Sequence, residues 1–202
     1  MNIDIYTGGI AQTNGYLIQT EQTNILFDAP AGVYEWLQER DIEVSHVILT
    51  HQHWDHSHDL SFFKEATIVA FADHSEDLIL QNNFKKRYDI PLDVKPYVVT
   101  QKLAHNELLS VGDLHFKALH VPGHSPDSIA FYNKDEQMCI GGDVLFYQSC
   151  GRVDLPGGNA EELVKSIEDV LFTLPPETTI FPGHGPETSI EEEMESNPYK
   201  SL

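Results

Sequence analysis

Three histidines and one carboxylate lie within the segment THQHWDH, residues 50–56. Neutral imidazole and carboxylate are ligands that zinc and similar divalent ions prefer. In a loop at a strand end, alternate side chains turn to different sides, so His51 and His53 can reach one ion while Asp55 and His56 reach a second. The cluster therefore predicts a metal site, with a histidine-rich surface loop or a buried histidine network as the alternative interpretation. By itself it leaves the number of metal ions open.

Three further segments place one potential ligand directly after an apolar strand and a turn of small residues. They are VPGHSP with His124, IGGD with Asp143, and FPGHG with His184. Glycine lets the backbone pack close to an ion and adopt unusual dihedral angles. Each motif is weak alone, but four ligand-bearing strand ends in one chain are hard to ascribe to chance.

Short strands dominate each half of the chain, and helices close each half. Apolar and β-branched runs predict strands at 15–20, 24–28, 44–50 and 66–71, and then at 114–121, 128–132, 137–140 and 178–181. The first two strands of the chain and the pair across 133–136 are expected to form hairpins. Helices are predicted at 33–40, 75–88 and 160–174. Two sheets packed face to face with helices outside is the layered arrangement that this order favours.

The helix at 160–174 carries the most specific signals. Asn159 can cap it, with Glu162 three residues further on. Apolar residues at helical spacing mark one face, namely Leu163, Ile167, Val170, Leu171 and Leu174. Near the C-terminus, the acidic residues of segment 191–195 are interpreted as the solvated face of another helix.

The length and net charge of the chain restrict the class of protein to which it can belong and the kinds of partner that it can bind. The chain has 202 residues, of which 41% are hydrophobic, and this fits one globular domain over residues 1–202. It carries 12 basic and 32 acidic residues, a formal net charge of −20, and such a surface repels nucleic acids and anionic membranes. Cys139 and Cys150 make no disulfide framework, and the sequence shows no secretory signal and no apolar run long enough to span a membrane. We therefore expect a soluble, cytoplasmic protein with a small-molecule partner.

The motifs THQHWDH, PGHSP, GGD and PGHG together resemble those of the metallo-β-lactamase-fold hydrolase superfamily. The stretches GGDVLFYQSCGRVDLPGG and FPGHGPETSIEEEMESNPY are similar to its short, glyoxalase II-like (hydroxyacylglutathione hydrolase-like) group. The resemblance covers nearly the whole chain. It implies an α/β fold, the αββα sandwich of two ββα halves, with the site at one edge between the sheets.

The resemblance also assigns a set of ligands for two divalent ions. They are His51, His53 and His124 for the first metal, Asp55, His56 and His184 for the second, and Asp143 as the bridge. Zinc is the first candidate, with iron or manganese as alternatives. The ions would share a hydroxide that attacks a carbonyl group, and Asp55 would orient that hydroxide. Asp28, at a strand end, is a candidate to support a histidine ligand through its other nitrogen, or else an ordinary turn residue.

The resemblance to glyoxalase II-like enzymes predicts a thioesterase that acts on S-lactoylglutathione or other small thioesters. Arg152 occupies the position at which such enzymes have a basic residue that binds a glutathione carboxylate. A guanidinium can bind a carboxylate through two parallel hydrogen bonds. Tyr147 is a candidate to line the pocket. Asp127 and His58 are among the residues that depart from the family pattern. Asp127 is expected either to orient His124 or to alter its turn, and His58 either to reach substrate or to stand exposed at a helix start.

Other functions remain as alternatives at this point. The first is a mononuclear non-haem iron dioxygenase acting on glutathione persulfide, because those enzymes share this fold and most of these motifs. The hydrolase is favoured because all seven ligands are present. Further alternatives are a lactonase or β-lactamase-like hydrolase, a nuclease, which the acidic surface disfavours, and a non-catalytic binding module, which would normally lack a ligand. Cys150 is not proposed as a nucleophile.

Overall fold

Each half of the chain builds a six-stranded sheet accompanied by short helices. The computed structural model describes residues 1–199. They fall into one unit that runs from Met1 to Lys102 and a second that begins at Leu103. Across residues 1–199, no helix combines the length and the apolar character that crossing a bilayer requires.

The first sheet follows chain order, beginning antiparallel and ending parallel. Its strands are β1 (Asn2–Gly8), β2 (Thr13–Gln19), β3 (Asn24–Phe27), β4 (His46–Ile48), β5 (Thr67–Ala70) and β6 (Gln101–Lys102). Strands β1 to β3 are antiparallel neighbours, and β3 to β6 are parallel. The predicted first hairpin and the strands predicted at 44–50 and 66–71 are confirmed. The two edge strands, β1 and β6, were not predicted, because β1 is largely exposed and β6 is only two residues long.

Parallel pairing of β3 with β4 places the ends of these two strands at the same edge of the sheet. Phe27 pairs with Ile48, and the backbone N–H of Asp28 donates to the carbonyl of Ile48 at 2.9 Å. The residues that follow the two strands, Asp28 and the segment 50–56, therefore emerge side by side.

Four short helices accompany the first sheet. They are α1 (Val33–Gln38), α2 (Trp54–Ser57), α3 (Glu76–Ile79) and α4 (Gln81–Tyr88), with a 3-10 turn at Leu60–Phe62. The helix predicted at 33–40 is confirmed, but the continuous helix predicted at 75–88 is wrong at Leu80. This residue is buried with a left-handed φ of 59° and ends α3. The Gln81 side chain donates a hydrogen bond to the carbonyl of Val94 and accepts one from its N–H. These two long-range hydrogen bonds stabilise the interruption between α3 and α4.

The second unit mixes antiparallel strands with one parallel pair. Its strands are β7 (Leu108–Val111), β8 (Leu114–His120), β9 (Ile129–Asn133), β10 (Met138–Gly142), β11 (Leu145–Phe146), β12 (Ser149–Cys150), β13 (Thr179–Pro182) and β14 (Thr188–Ser189). The sheet has the order β14-β13-β10-β9-β8-β7, while β11 and β12 form a separate hairpin. Since β10 and β13 are parallel and Gly183 N–H donates to the Gly142 carbonyl, Asp143 and His184 emerge at the same edge. All four strands predicted in this half are confirmed.

Helical structure in the second unit changes its winding along the chain. It begins as α5 (Ala160–Lys165) and continues as a π-helical turn at Ser166–Val170 and a 3-10 turn at Leu171–Thr173. A separate helix, α6 (Ile190–Ser196), follows the last two strands. The predicted cap is confirmed, because Asn159 Oδ1 accepts the backbone N–H groups of Glu161 and Glu162 at 3.0 and 3.2 Å. The single helix predicted over 160–174 is therefore a helical stretch of mixed winding. Its predicted apolar face is fully buried at Leu163, Ile167 and Leu171.

The acidic C-terminal segment is helical, but it is not solvated along its whole length. Glu193 is fully buried, whereas the other glutamates of segment 191–195 are exposed. The Glu193 carboxylate accepts hydrogen bonds from the backbone N–H of Gln148, the hydroxyl of Thr188 and the side-chain amide of Asn197. The prediction of a solvated face is therefore wrong at Glu193, because several protein donors replace water around this carboxylate.

A tight contact between Gly123 and α5 fixes the segment that carries His124. Gly123 has a φ of 133°, its carbonyl accepts the N–H of Asn159 at 2.7 Å, and a Cβ here would lie 2.3 Å from the backbone nitrogen of Leu163. We expect Gly123→Ala to lower the free energy of unfolding by about 2–4 kcal/mol, because the backbone must move. Urea unfolding of the metal-free protein measures this change. In the control Gly185→Ala, φ is +74° but the Cβ meets nothing within 4 Å, so the cost should be about 1 kcal/mol. Equal costs would contradict the steric explanation.

Candidate metal centre

The first group of potential metal ligands lies in the loop after β4 and the first turn of α2. Nε2 of His51 lies 3.0 Å from Nδ1 of His53, and the ring centroids of His51 and His56 are 4.1 Å apart. Oδ2 of Asp55 lies 3.6 Å from Nε2 of His56. The three histidines are buried, and Asp55 is partly exposed. The first unit thus brings together all four potential ligands predicted in segment 50–56.

Asp28 determines which ring nitrogen carries the proton in two of these histidines. Its Oδ2 accepts hydrogen bonds from Nδ1 of His56 and from the hydroxyl of Thr50, each at 2.8 Å. The Thr50 hydroxyl oxygen in turn accepts Nδ1–H of His51 at 3.2 Å. With Nδ1 protonated in both rings, the two Nε2 atoms keep the lone pairs that a metal ion needs. The interpretation of Asp28 as a residue that supports a histidine is confirmed.

Thr13, on β2, positions the carboxylate of Asp55. Thr13 is fully buried, and its hydroxyl donates to Oδ2 of Asp55 at 2.8 Å. This hydrogen bond fixes the rotation of the carboxylate. Thr13 could not be predicted from the sequence, because no local pattern marks a residue whose partner is 42 positions away.

The side chain of Gln52 stabilises the loop that carries His51 and His53. Its side chain is buried, and Nε2 donates to two backbone carbonyls of segment 72–73, at 3.3 and 3.0 Å. Oε1 accepts the N–H of Ser75 at 3.3 Å and the hydroxyl of Tyr97 at 2.9 Å. Both donors and both lone pairs of the amide are therefore used, and the loop cannot rotate without breaking these contacts. Gln52 was not predicted either, because its partners lie 20 or more positions away in the chain.

The second group of potential ligands centres on Asp143, directly after β10. Its Oδ2 lies 3.4 Å from Nε2 of His124 and 3.3 Å from Nε2 of His184. Nδ1 of His124 donates to the backbone carbonyl of Arg152 at 2.9 Å, which leaves the Nε2 lone pair directed at Asp143. The second unit thus brings two imidazoles and one carboxylate oxygen to a single point.

The spacing of these atoms fits metal coordination. Zinc binds histidine nitrogen at about 2.0–2.1 Å with tetrahedral geometry, so neighbouring ligand atoms around one ion lie about 3.3 Å apart. The separations are 3.0 and 3.6 Å in the first group and 3.4 and 3.3 Å in the second. Imidazole and carboxylate are donors that zinc, iron and manganese all accept. The residues therefore fit divalent metal ions and leave the identity of the metal open.

The two residues predicted to contact substrate lie in and after the β11–β12 hairpin. The Arg152 guanidinium forms a bidentate ion pair with the Asp154 carboxylate, at 2.6 and 2.7 Å, and both side chains are exposed. Tyr147, in the turn of the hairpin, is 44% exposed, and its hydroxyl accepts a long hydrogen bond from Gln148 Nε2 at 3.4 Å. Their role toward substrate stays a prediction.

Asp127 and His58, which depart from the family pattern, have local partners. Asp127 is buried and accepts the hydroxyl of Ser125, which favours its role in the turn. His58 Nδ1 pairs with Asp59 Oδ1 at 2.9 Å. Since Asp59 Oδ2 accepts the backbone N–H of Gly32 at 2.9 Å, this pair joins α2 to the start of α1. The expectation of an exposed histidine at a helix start is wrong, because His58 is partly buried and follows the last residue of α2.

The environment of the cysteines disfavours a thiol nucleophile. Both are free thiols. Burial raises the pKa of the Cys150 thiol above its ordinary value and raises that of Cys139 to about 12. Because the thiolate is the nucleophilic form, both thiols are poorly reactive at neutral pH.

Comparisons with known structures agree with this fold. Over 100% of both chains, the protein is similar to the crystal structure of BLEG-1 B3 metallo-beta-lactamase, with a TM-score of 0.87 and 29% identity. It is also similar to the crystal structure of TTHA1623 in a di-iron-bound form, with a TM-score of 0.82 and 31% identity over 97% of this chain and 99% of the other. The predicted α/β class and metallo-β-lactamase fold are confirmed.

Sequence comparisons lead to the same family. The chain is 34% identical over 204 residues to the probable metallo-hydrolase YqgX of Bacillus subtilis, covering 95% of this chain and 93% of that protein. It is 30% identical over 208 residues to the hydroxyacylglutathione hydrolase GloC of Haemophilus influenzae, covering 98% of each. The Metallo-beta-lactamase superfamily matches residues 8–184, a range that includes both groups of potential ligands. The chain therefore belongs to the metallo-beta-lactamase superfamily, and its homologues point to a metal-dependent hydrolase.

Proposed function

We propose that the protein is a dinuclear metal-dependent thioesterase of the glyoxalase II type, acting on S-lactoylglutathione-like or other small thioesters. The observation that carries the proposal is the convergence of His124 and His184 on one carboxylate oxygen of Asp143, at 3.4 and 3.3 Å. A carboxylate placed in this way is suited to bridge two ions. The thioester class is supported by the similarity to GloC, a hydroxyacylglutathione hydrolase.

The proposed centre combines the two groups of ligands into one pair of metal sites. One ion would be held by His51, His53 and His124, the other by Asp55, His56 and His184, and Asp143 would be shared. The superfamily match spans both groups, and the similar TTHA1623 has been crystallised in a di-iron-bound form. Zinc is the first candidate for this chain because imidazole-rich sites suit it, and iron and manganese are the alternatives.

The side chains of the centre have distinct tasks in thioester hydrolysis. When bound, the two ions would lower the pKa of a water molecule and polarise the thioester carbonyl. The water oxygen bonds to the carbonyl carbon, the C–S bond breaks, and the products are a carboxylate, a thiol and one proton. Asp55, whose Oδ2 accepts a hydrogen bond from the Thr13 hydroxyl at 2.8 Å, would orient the attacking water. Because a thiol has a pKa of about 8.5, its thiolate leaves without a strong proton donor.

The acidic surface and the free cysteines support a small-molecule substrate in a reducing compartment. The net charge of −20 repels polyanions, which include nucleic acids and anionic membranes. Cys139 is buried and Cys150 half-buried, and both are free thiols. Free thiols persist in the cytosol, so the proposal includes a cytoplasmic location.

A substrate panel tests the proposed reaction. Zinc-loaded protein is assayed with S-lactoylglutathione, its oxygen-ester analogue, a simple lactone and a β-lactam. We expect kcat/KM for the thioester to exceed the other values by at least about tenfold. Preferential turnover of the β-lactam or the lactone would overturn the thioester class and leave a metallo-hydrolase. Oxygen consumption with glutathione persulfide, by protein that holds one iron per chain and shows no thioesterase activity, would overturn the hydrolase in favour of the dioxygenase.

The ion pair between Arg152 and Asp154 gives a prediction about substrate charge. If Arg152 binds a substrate carboxylate, Asp154 competes with that carboxylate for the same guanidinium face. We expect Asp154→Asn to raise kcat/KM for a carboxylate-bearing thioester about two- to fivefold, mostly through KM, as suits an exposed ion pair. Steady-state kinetics on an anionic and a neutral thioester measure the effect, and the neutral substrate should not respond.

A second exposed ion pair supplies the control for this prediction. Asp93 pairs with Lys95 at 2.6 Å, so Asp93→Asn removes a comparable charge elsewhere. It should leave kcat/KM unchanged for both substrates. If Asp154→Asn and Asp93→Asn behave alike, Arg152 is not the carboxylate-binding group.

A further inference from the structure

Both ends of the hairpin of β11 and β12 lie next to His124. Asp143 precedes the hairpin, and its Oδ2 lies 3.4 Å from His124 Nε2. Arg152 follows the hairpin, and its backbone carbonyl accepts His124 Nδ1–H at 2.9 Å. Gly151 closes the base, because its N–H donates to the carbonyl of Val144 at 3.2 Å. The segment that closes the hairpin therefore supplies the carbonyl group that orients the His124 ring.

The same hairpin contacts a second potential ligand through Phe146. The Phe146 ring meets the ring of His184 edge to face, with centroids 6.1 Å apart and planes at 85°. Such an arrangement is attractive for aromatic rings. All three ligands of the second group, His124, Asp143 and His184, therefore contact this hairpin or adjoin it in the chain.

The tip of the hairpin is bound by Glu193 of α6. Only Tyr147 and Gln148 connect the paired residues Phe146 and Ser149, and Gln148 adopts a left-handed φ of 50°. Its backbone N–H donates to both oxygens of the Glu193 carboxylate, at 3.2 and 3.0 Å. Because a left-handed conformation is costly for a residue with a Cβ, this contact stabilises a turn that would otherwise rearrange easily.

Asn197, directly after α6, binds the carbonyl groups of the same tip. Its Nδ2 donates to the carbonyl of Ser149 at 2.8 Å and to that of Phe146 at 3.3 Å, and it also donates to Glu193. Two side chains four residues apart thus bind an N–H group and two carbonyl groups of the turn. The Thr188 hydroxyl adds a further donor to Glu193.

We propose that Glu193 and Asn197, together called the clamp, are positioning residues that preorganise the second group of metal ligands through the hairpin. The inference rests on the proposed function, because it takes His124, Asp143 and His184 as metal ligands. A fully buried carboxylate is costly unless donors replace its water. At Glu193 these donors include the backbone N–H of Gln148, which lies in the hairpin turn. The buried carboxylate therefore also fixes the position of the hairpin.

Four variants of the full chain test the clamp. Glu193→Met removes all acceptors at similar volume, and Glu193→Gln keeps one oxygen for the Gln148 N–H. Asn197→Ala removes the donor from a partly exposed position and leaves the Glu193 side chain itself unchanged. Glu195→Met is the matched control, since Glu195 lies on the exposed side of α6.

Two measurements are made on each variant. Hydrogen exchange of the metal-free protein compares the peptide 143–152 with the reference peptide 108–120, and chelator competition gives zinc affinity. We expect Glu193→Met and Asn197→Ala to speed exchange in 143–152 at least about tenfold with 108–120 unchanged. They should also weaken zinc binding at least about tenfold. Glu193→Gln should rescue most of both losses, and Glu195→Met should match the wild type.

Three results would overturn the clamp. The first is unchanged exchange in 143–152 in both Glu193→Met and Asn197→Ala. The second is faster exchange with unchanged zinc affinity, because the hairpin would then not position ligands. The third is faster exchange throughout the chain in both variants, which would make the role merely structural. A wild-type protein that binds no zinc, iron or manganese overturns the proposed function, and with it the positioning role, whatever the exchange data show.

Discussion

Asp143→Asn is expected to reduce thioester hydrolysis by at least about 100-fold and to leave fewer than two zinc ions bound per chain. Oδ2 of Asp143 is the point where Nε2 of His124 and Nε2 of His184 meet, at 3.4 and 3.3 Å. The amide keeps the shape of the side chain, but it removes the negative charge that would offset two cations. Its NH2 group also has no lone pair for a metal ion. Steady-state kinetics and elemental analysis of the same samples measure both effects.

Asp135→Asn is the control for this substitution. Asp135 is an exposed carboxylate in the turn between β9 and β10, so the variant should keep wild-type kinetics and zinc content. Urea unfolding of the metal-free proteins separates lost metal binding from lost stability. An Asp143→Asn protein with two zinc ions and wild-type kcat/KM would contradict the assignment of Asp143 as a ligand.

Asp28→Asn should lower zinc affinity by about 10- to 100-fold with little effect on the fold. Asp28 Oδ2 accepts hydrogen bonds from His56 Nδ1 and from the Thr50 hydroxyl, while Oδ1 accepts the Thr50 N–H at 2.8 Å. In the variant, the Thr50 N–H retains the amide oxygen as its acceptor, so the NH2 group must face His56. His56 can then accept that hydrogen bond only with its proton moved to Nε2, where it blocks metal binding. Asparagine also tolerates the left-handed φ of 56° at this position.

Asp41→Asn matches this change without touching the centre. Asp41 is exposed and has a nearly identical φ of 54°. Its variant should keep wild-type zinc affinity and wild-type stability. Equal zinc affinity in Asp28→Asn and the wild type would show that Asp28 does not set the proton position of His56.

The potential metal ligands could be predicted from the sequence because their signals are local. The segment 50–56 follows β4, Asp143 follows β10, and His184 follows β13. An apolar run, a stop of small residues and a ligand-type side chain can all be recognised within about ten neighbouring positions. The strands themselves were predictable for the same reason, as their apolar and β-branched runs are continuous.

The residues that hold these ligands could not be predicted, because their partners are distant in the chain. Thr13 bonds Asp55 across 42 positions, and Gln148 bonds Glu193 across 45. A threonine at a strand start and a glutamate in an acidic run have ordinary surroundings in sequence. Only the folded chain shows that both are fully buried.

Local periodicity also failed where a tertiary contact overrides it. The segment 75–88 has the composition of one helix, yet Leu80 interrupts it with a φ of 59°. Gln81 directs its side chain to the backbone of Val94, 13 positions further on. Helix propensity is a weak preference, and two hydrogen bonds and a buried leucine suffice to overcome it.

Metal content distinguishes a dinuclear hydrolase from a mononuclear enzyme in one experiment. Protein is purified without added metal, then loaded with zinc, iron or manganese in turn, and the bound metal is counted by elemental analysis. The dinuclear hydrolase predicts two ions per chain in the wild type, fewer in Asp143→Asn, and thioesterase activity that rises with the second ion. One iron per chain, no second ion under any loading condition and no thioesterase activity would contradict the dinuclear hydrolase.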